Sequence, residues 1–241
     1  PPFNLKDWRG ENELTNDPRW AGYDTPPTGN ANYAWILHMV SKLSEHGTAG
    51  FVLANGAMST NTSGEGAIRQ KMIENDLVDC MIALPGKLFF TTQIPVCIWI
   101  LNKSKNADTS RGHRDRKGET LFIDARNIGT MISQTQKELT SDDVQKIART
   151  YHSWRADSVQ SEDAYSDVPG HCRSVELEEI KKHDYILTPG RYVGAAPLED
   201  DGIPFETKMK DLSQTLYQQM EQSGELDSVI RQNLEGLGYG N

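Results

Sequence analysis

The stretch LVDCMIALPGKLFFTTQIPVCIWIL, residues 77–101, decides the fold. It holds two apolar runs, 77–84 and 94–101, that are continuous rather than alternating and are of strand length. Such runs belong in strands buried on both faces of a sheet. Pro85-Gly86 ends the first run. The connection from Leu84 to Ile94 is too short for a helical crossover, so the second run is predicted to turn back antiparallel to the first. Upstream, residues 50–55 (GFVLAN) read as another buried strand. A Gly/Ser/Thr/Asn-rich loop to Gly66 follows, then a helix over 67–75 with Ile68, Met72 and Ile73 inward. Strand, helix, strand at this spacing is a βαβ unit, and the class is α/β.

Working outward, Asn30 is placed to cap a helix over 31–46 that Gly47 ends. Its apolar positions Ala34, Trp35, Leu37, Met39, Val40 and Leu43 cover more than a stripe, so the helix is expected to be buried. Residues 4–29 are rich in Asn, Asp, Gly and Pro, and no regular element is predicted there. Beyond the core, residues 119–125 (ETLFIDA) read as a fourth strand, the expected hairpin partner of the third across the loop 103–117. Thr140 caps a helix over 142–155 with Val144, Ile147, Ala148, Tyr151 and Trp154 on one face. An acidic surface loop over 156–167 is expected next, then a short helix from Ser174 to about 183. Over 205–237, Met209, Leu212, Leu216, Leu226, Ile230 and Leu237 fall near heptad spacing. Gln219, Ser223 and Asn233 share that seam, and Gly224 is expected to divide the run into two helices. No internal repeat appears.

Composition narrows the function classes. The chain has 241 residues, 37% hydrophobic and 24% charged, with a mean hydropathy of −0.60. It is neither disordered nor membrane-embedded, because its longest apolar run, 96–101, is far too short to span a bilayer. Three cysteines give no disulfide framework, which favours a reducing, cytoplasmic location. The chain opens Pro-Pro-Phe, with neither an initiator Met nor a signal peptide, and is expected to be a fragment of a longer protein. The net charge of −9 is unevenly spread: −3 over 1–102, +4 over 103–117 and −10 over 118–241. A protein that grips DNA by itself is expected to be broadly basic. If DNA is the substrate, another chain or a missing segment supplies much of the grip. The basic run Arg111, His113, Arg114, Arg116 and Lys117 reads as a solvated hairpin tip rather than a phosphate clamp. The six histidines are scattered, so no metal site is expected. Nor is there a Ser-His-Asp arrangement or a phosphate-binding loop. Asn55 and Ser59 sit where α/β sheets bind ligands, but read as loop structure.

Pro1-Pro2-Phe3 alone says little. In order with GNANYAWILHM (29–39), GFVLANG (50–56), LVDCMIALPGKLFF (77–90), IPVCIWIL (94–101), LFIDARNIG (121–129), VPGHC (168–172) and LTPGRYVGAA (187–196), it says much more. Together these segments closely resemble the modification (methyltransferase) subunit of type I restriction–modification systems, which makes N6-methyladenine in DNA. The resemblance runs nearly the whole length of the chain.

That resemblance implies the C-terminal half of a Rossmann-like sheet that uses S-adenosylmethionine, its last strand antiparallel, followed by a helical tail. In the family an Asn precedes Pro-Pro-Phe. The glycine-rich cofactor loop and the acidic residue that grips the cofactor ribose lie farther upstream. The chain is therefore expected to hold few of the cofactor's contacts and to be inactive alone. Pro1, Pro2 and Phe3 are implied catalytic residues. The amino nitrogen of adenine is a poor nucleophile, and acceptors on its N–H bonds, the carbonyl of the first proline among them, localise its lone pair. Proline suits the place because its φ is fixed and it has no N–H to satisfy. Phe3 stacks on the base once it has left the duplex. Phe89 or Phe90 corresponds to the family's edge contact to that base. Spacing to Ile94 favours Phe89; one of the pair is expected to face the base and the other the core, the alternative being that both are core residues. For Trp8, Arg9, Arg19 and Trp20, with Tyr23, two readings stay open: a loop pinned by aromatic anchors, or a DNA-facing loop that orders on substrate.

The expected layout is a catalytic half-domain over 1–134, a helical and loop extension over 135–198, and C-terminal helices over 199–241. In the last, Met209, Leu212, Leu216, Leu226 and Ile230 would dock a partner. The implied partners are DNA, a specificity subunit that reads sequence and a restriction subunit that cleaves. Two other readings are a solitary adenine methylase without a nuclease, and a non-catalytic docking module in a DNA-binding complex.

Overall fold

The computed structural model describes residues 1–156, 164–196 and 204–239. It forms two compact units, Pro1–Pro197 and Leu198–Asn241. The first is built on a mixed five-stranded sheet. Its strands are β1 (Thr48–Ala54), β2 (Val78–Ala83), β3 (Val96–Asn102), β4 (Glu119–Asp124) and, after a two-stranded hairpin β5 (Thr130–Met131) and β6 (Lys137–Glu138), β7 (Cys172–Glu176). The order across the sheet is β1-β3-β2-β4-β7. All six residues of β2 are buried, as its unbroken apolar run requires.

β3 lies between β1 and β2 and is antiparallel to both, so β1 and β2 run the same way. Helices α1 (Asn32–Lys42) and α2 (Glu65–Glu74) contribute to one apolar cluster with Phe51, Leu53, Met81, Trp99 and Phe122. Helix α3 (Ser141–Arg155) contributes Tyr151 and Trp154 to a second, with Ile82, Val96, Leu121 and Ile123 from alternate strand positions. A capping box holds the start of α3: the Thr140 hydroxyl accepts the Asp143 amide at 3.1 Å, and the Asp143 carboxylate accepts the Thr140 amide at 2.9 Å.

Several sequence expectations are corrected. α1 ends at Lys42 rather than 46. A 3₁₀ turn, Pro18–Trp20, stands within the stretch expected to lack regular structure. β4 is not the hairpin partner of β3; it lies parallel beside β2, pairing Cys80 with Leu121 through Ala83 with Asp124. Both edges of β3 are already occupied. Residues 172–176, expected to open a helix at Ser174, form β7, antiparallel to β4. The Ser174 hydroxyl bonds Glu119 and Trp154 instead of capping, and the short helix α4 (Leu177–Lys182) starts after it. In the second unit Gly224 does not divide the helix: α5 (Phe205–Gly236) is continuous for 32 residues. One mid-helix glycine costs only about 1 kcal/mol, too little to break so long an element. None of the helices in the described residues is long and apolar enough to cross a membrane.

The basic loop is a solvated tip only in part: Arg111 and Lys117 are exposed, but the other cations are drawn into the fold. Arg116 is 1% exposed, and its Nε lies 3.3 Å from Oδ1 of Asp79, which is fully buried in β2. Tyr151 donates its hydroxyl to the other Asp79 oxygen at 2.7 Å. Lys105 is buried against Asp76 (2.7 Å) and the Glu119 carbonyl. Arg114 grips Glu119 through two bonds, 3.0 and 2.7 Å long. Breaking a buried pair by removing one partner leaves an uncompensated charge at a cost of roughly 3–5 kcal/mol. Asp79→Ala is expected to lose about that much stability in urea denaturation. The double replacement Asp79→Leu with Arg116→Met is expected to recover most of it.

Candidate functional site at the carboxyl edge of the sheet

β1, β2 and β4 run in one direction, so their carboxyl ends lie at one edge of the sheet, where open α/β sheets bind ligands. The connection from β2 to β3 leaves from that edge and carries Phe89 and Phe90. Three local features shape it. The Leu84 amide donates to the Val96 carbonyl at 2.8 Å, and the Lys87 amide to the Gln93 carbonyl at 3.2 Å. Gly86 allows the two limbs to close, since a Cβ there would stand 2.6 Å from the Gln93 oxygen. Lys87 then ties the loop to the β5–β6 hairpin: its carbonyl accepts the Lys137 amide at 2.8 Å, and its ammonium reaches the Gln134 carbonyl at 3.1 Å.

Phe3 meets this loop. Its ring stands edge-to-face to Phe89, with centroids 6.1 Å apart and planes at 81°. Phe3 is partly buried against both apolar clusters, Phe89 is 38% exposed and Phe90 91% exposed. Of the two adjacent phenylalanines, Phe89 therefore faces Phe3 and Phe90 faces solvent. Pro1 and Pro2 are exposed beside them. An aromatic pair at right angles, half-exposed, can receive a planar heteroaromatic ring.

A second contact positions Phe3, and the sequence reading missed it. Asn4 adopts the left-handed conformation (φ 53°) that Asn tolerates better than most residues. Its amide donates to Asn32 Oδ1 at 3.0 Å, and Asn32 Nδ2 donates back to Asn4 Oδ1 at 2.8 Å. Asn32 is 1% exposed in the first turn of α1. The Leu5 carbonyl accepts the Ala31 amide, and the Asn30 side chain accepts the Asn32 amide, so the Pro-Pro-Phe segment is clipped to the start of α1. Tyr33, next along, donates its hydroxyl to the Ala57 carbonyl at 2.8 Å, and burial pushes its pKa up to about 12. A polar Asn at the head of an otherwise apolar helix was the available signal.

The other candidates are taken up inside the loop 5–30. Trp8 donates its indole N–H to the Pro27 carbonyl (2.7 Å), and buried Trp20 donates to Leu14 (2.6 Å); the two rings meet edge-to-face at 6.0 Å. Arg9 bonds the carbonyls of Gly10, Glu11, Glu13 and Pro26. Arg19 chelates Asp17, whose carboxyl it holds down at about 2, and lies over the Trp20 ring. Asn55 keeps a buried side-chain oxygen without a protein partner, and Ser59 follows a 3₁₀ turn. Met209, Leu212, Leu216, Leu226 and Ile230 are exposed on α5.

With this fold and edge in view, the chain belongs to the N-6 DNA methylase family, whose model matches residues 1–201. Within that family it is similar to the methylase subunits of type I restriction enzymes. It is 52% identical over 239 residues to the HindI methylase subunit of Haemophilus influenzae, covering 99% of this chain and 50% of the relative. It is 40% identical over 243 residues to the MjaIX methylase subunit of Methanocaldococcus jannaschii, covering 99% and 41%. Among solved structures, the methyltransferase subunit of a type I restriction–modification system from Streptococcus thermophilus superposes with a TM-score of 0.67 at 28% identity, over 81% of this chain and 37% of that one. The chain spans about half the length of the curated relatives it matches, or less.

The Asn4–Asn32 clip makes a checkable demand. Asn32→Leu removes both partners of Asn4 and is expected to destabilise the fold by about 1–3 kcal/mol. It should also release Phe3 from Phe89, read as loss of ring-current shifts between the two in NMR spectra.

Proposed function

We propose that this chain is the base-holding part of a DNA adenine-N6 methyltransferase subunit of a type I restriction–modification complex. The contact between Phe3 and Phe89 at the carboxyl edge carries this reading, because it places the aromatic of Pro-Pro-Phe against the loop that the family resemblance assigns to the flipped base. Phe3 stacks on the adenine, and Phe89 meets its edge. The Pro1 carbonyl accepts one amino N–H, holding the nitrogen lone pair out of the ring. That lone pair forms the new N–C bond, and the displaced proton leaves to water. When bound, S-adenosylmethionine would supply the methyl group, its S–CH3 bond breaking as the N–C bond forms and the neutral thioether leaving. The residues here fit the acceptor side of that transfer: two exposed prolines beside a pair of uncharged aromatic rings. Most of the cofactor's own contacts belong to residues before Pro1, and the outer edge of β1, unpaired in this sheet, is where that part of the fold joins.

α5 supports a partner-docking role for the second unit. It is about 48 Å long at 1.5 Å per residue, and Phe205, Met209, Leu212, Leu216, Leu226 and Ile230 are all exposed along it. A helix with so much apolar surface needs a covering partner. The polar Gln219, Ser223 and Asn233 on the same seam suit register-setting against other helices. The specificity subunit is the proposed partner there, with a restriction subunit completing the cytoplasmic complex.

Two experiments test these roles. In the complete subunit assembled with its specificity partner, Phe3→Ala is expected to weaken flipped-base binding by about 1–3 kcal/mol and to cut methyl incorporation sharply, with Phe89→Ala milder in the same direction. Methylation at the wild-type rate by Phe3→Ala would remove the stacking role. Deleting 205–241 is expected to leave the sheet unit folded but abolish assembly. Co-purification at full stoichiometry would show that α5 is not the docking element.

A further inference from the structure

The basic run that the methylation site does not use contributes to a cavity of about 430 Å³ at the opposite edge of the sheet. Seven residues of β1, about 23 Å at 3.3 Å each, separate the two edges. Most cations of the run are committed elsewhere. Lys103 bonds the Leu43 carbonyl, and Lys105, Arg114 and Arg116 are held by Asp76, Glu119 and Asp79. Arg111 is different. It reaches the cavity with a half-exposed side chain, and its one carboxylate contact among the described residues, to Asp108, is a loose 3.5 Å.

Arg155, in the last turn of α3, enters the same cavity. Its Nε is buried and has no hydrogen-bond partner among the described residues. Its Nη2 stands 3.4 Å from His113 Nδ1, and its guanidinium lies over the Tyr151 ring at 5.0 Å. A buried donor left open is costly, and an acceptor that reached it after a small side-chain movement would offset that cost. His46, Asn102 and Ser104 complete the polar wall. Asp108 is the one carboxylate in the lining; one of its oxygens accepts from the amide and hydroxyl of Ser110, the other faces Arg111. The local field is positive: burial, then Arg155, Arg116 and Arg111, hold the His113 imidazole below its usual pKa, with Asp108 opposing.

We propose that this cavity binds a phosphate group, gripped by Arg155 and Arg111 with His113 beside them. A guanidinium fork matches phosphate oxygens bidentately. The volume leaves room for a phosphate and the group that carries it. The source is a free mononucleotide or the backbone of DNA that reaches this edge. The proposal does not depend on the methylation reading.

Titration of the 241-residue chain with sodium phosphate, against sodium chloride at matched ionic strength, tests it through the ring NMR signals of His113 and His46. Phosphate is expected to shift them saturably and to raise the titration midpoint of His113. Arg111→Ala, on an exposed loop, and Arg155→Gln are each expected to weaken binding by about tenfold or more, since a charge-assisted bond contributes about 1.5–3 kcal/mol. Competition then separates the sources: AMP displacing phosphate identifies a nucleotide site, and a short duplex displacing it identifies a DNA-backbone site. Shifts no larger with phosphate than with chloride would overturn the proposal, as would unchanged affinity in a folded Arg111→Ala protein.

Discussion

A carboxylate without water around it organises the first unit. Asp79 sits in β2, the middle strand of the sheet, and cannot stay charged there unless positive charge and donors are brought to it. Arg116 and Tyr151 meet that need from two different segments, the loop after β3 and helix α3. Bringing Arg116 to Asp79 draws the 103–118 connection across the end of β2, which delivers β4 to the far side of β2 instead of back against β3. Trp154, the penultimate residue of α3, receives the Arg116 and Arg114 guanidinium groups over its ring and donates its N–H to Ser174 of β7. The order of the last two strands and the seat of α3 thus follow from one buried charge.

The opposite edge works by different means. Its geometry depends on short-range clips: a reciprocal Asn–Asn pair, a pinched glycine and a lysine backbone shared with a small hairpin. Each clip leaves the exposed faces of Phe3 and Phe89 free while fixing where they stand. The molecule therefore divides its labour by edge, with aromatic surface at the carboxyl ends of the parallel strands and cationic surface at their amino ends.

How much of this could be read from the residues alone depended on range. β1, β2 and β3 were legible because their apolar runs are continuous, and the reversal of β3 followed from a short connection. The neighbour of β4 was not, since pairing choice turned on Arg116 reaching a carboxylate 37 positions away. β7 was hidden because CRSVE alternates and offers a serine that looks like a cap; that serine is claimed by Glu119 and Trp154. At the candidate site, family resemblance pointed to Phe3 and the Phe89 loop, while Asn32, a polar residue heading an apolar helix, was passed over because its partner Asn4 lies 28 positions away.

The central insertion of β3 has a consequence for how the chain reaches this state. β1 and β2 do not pair with each other; each waits for residues 96–102. On a growing chain, thirteen strand residues, seven in β1 and six in β2, precede the segment that joins them, so both present open backbone edges in the meantime. Arrival of β3 closes two ladders at once, which makes it a cooperative step rather than a gradual one. β7 comes later still, pairing with a strand more than fifty positions behind it, and such distant pairing is slow because a long loop must be closed first. Synthesis order and assembly order therefore diverge, and the interval between them is when this protein is most exposed to aggregation and most in need of a chaperone.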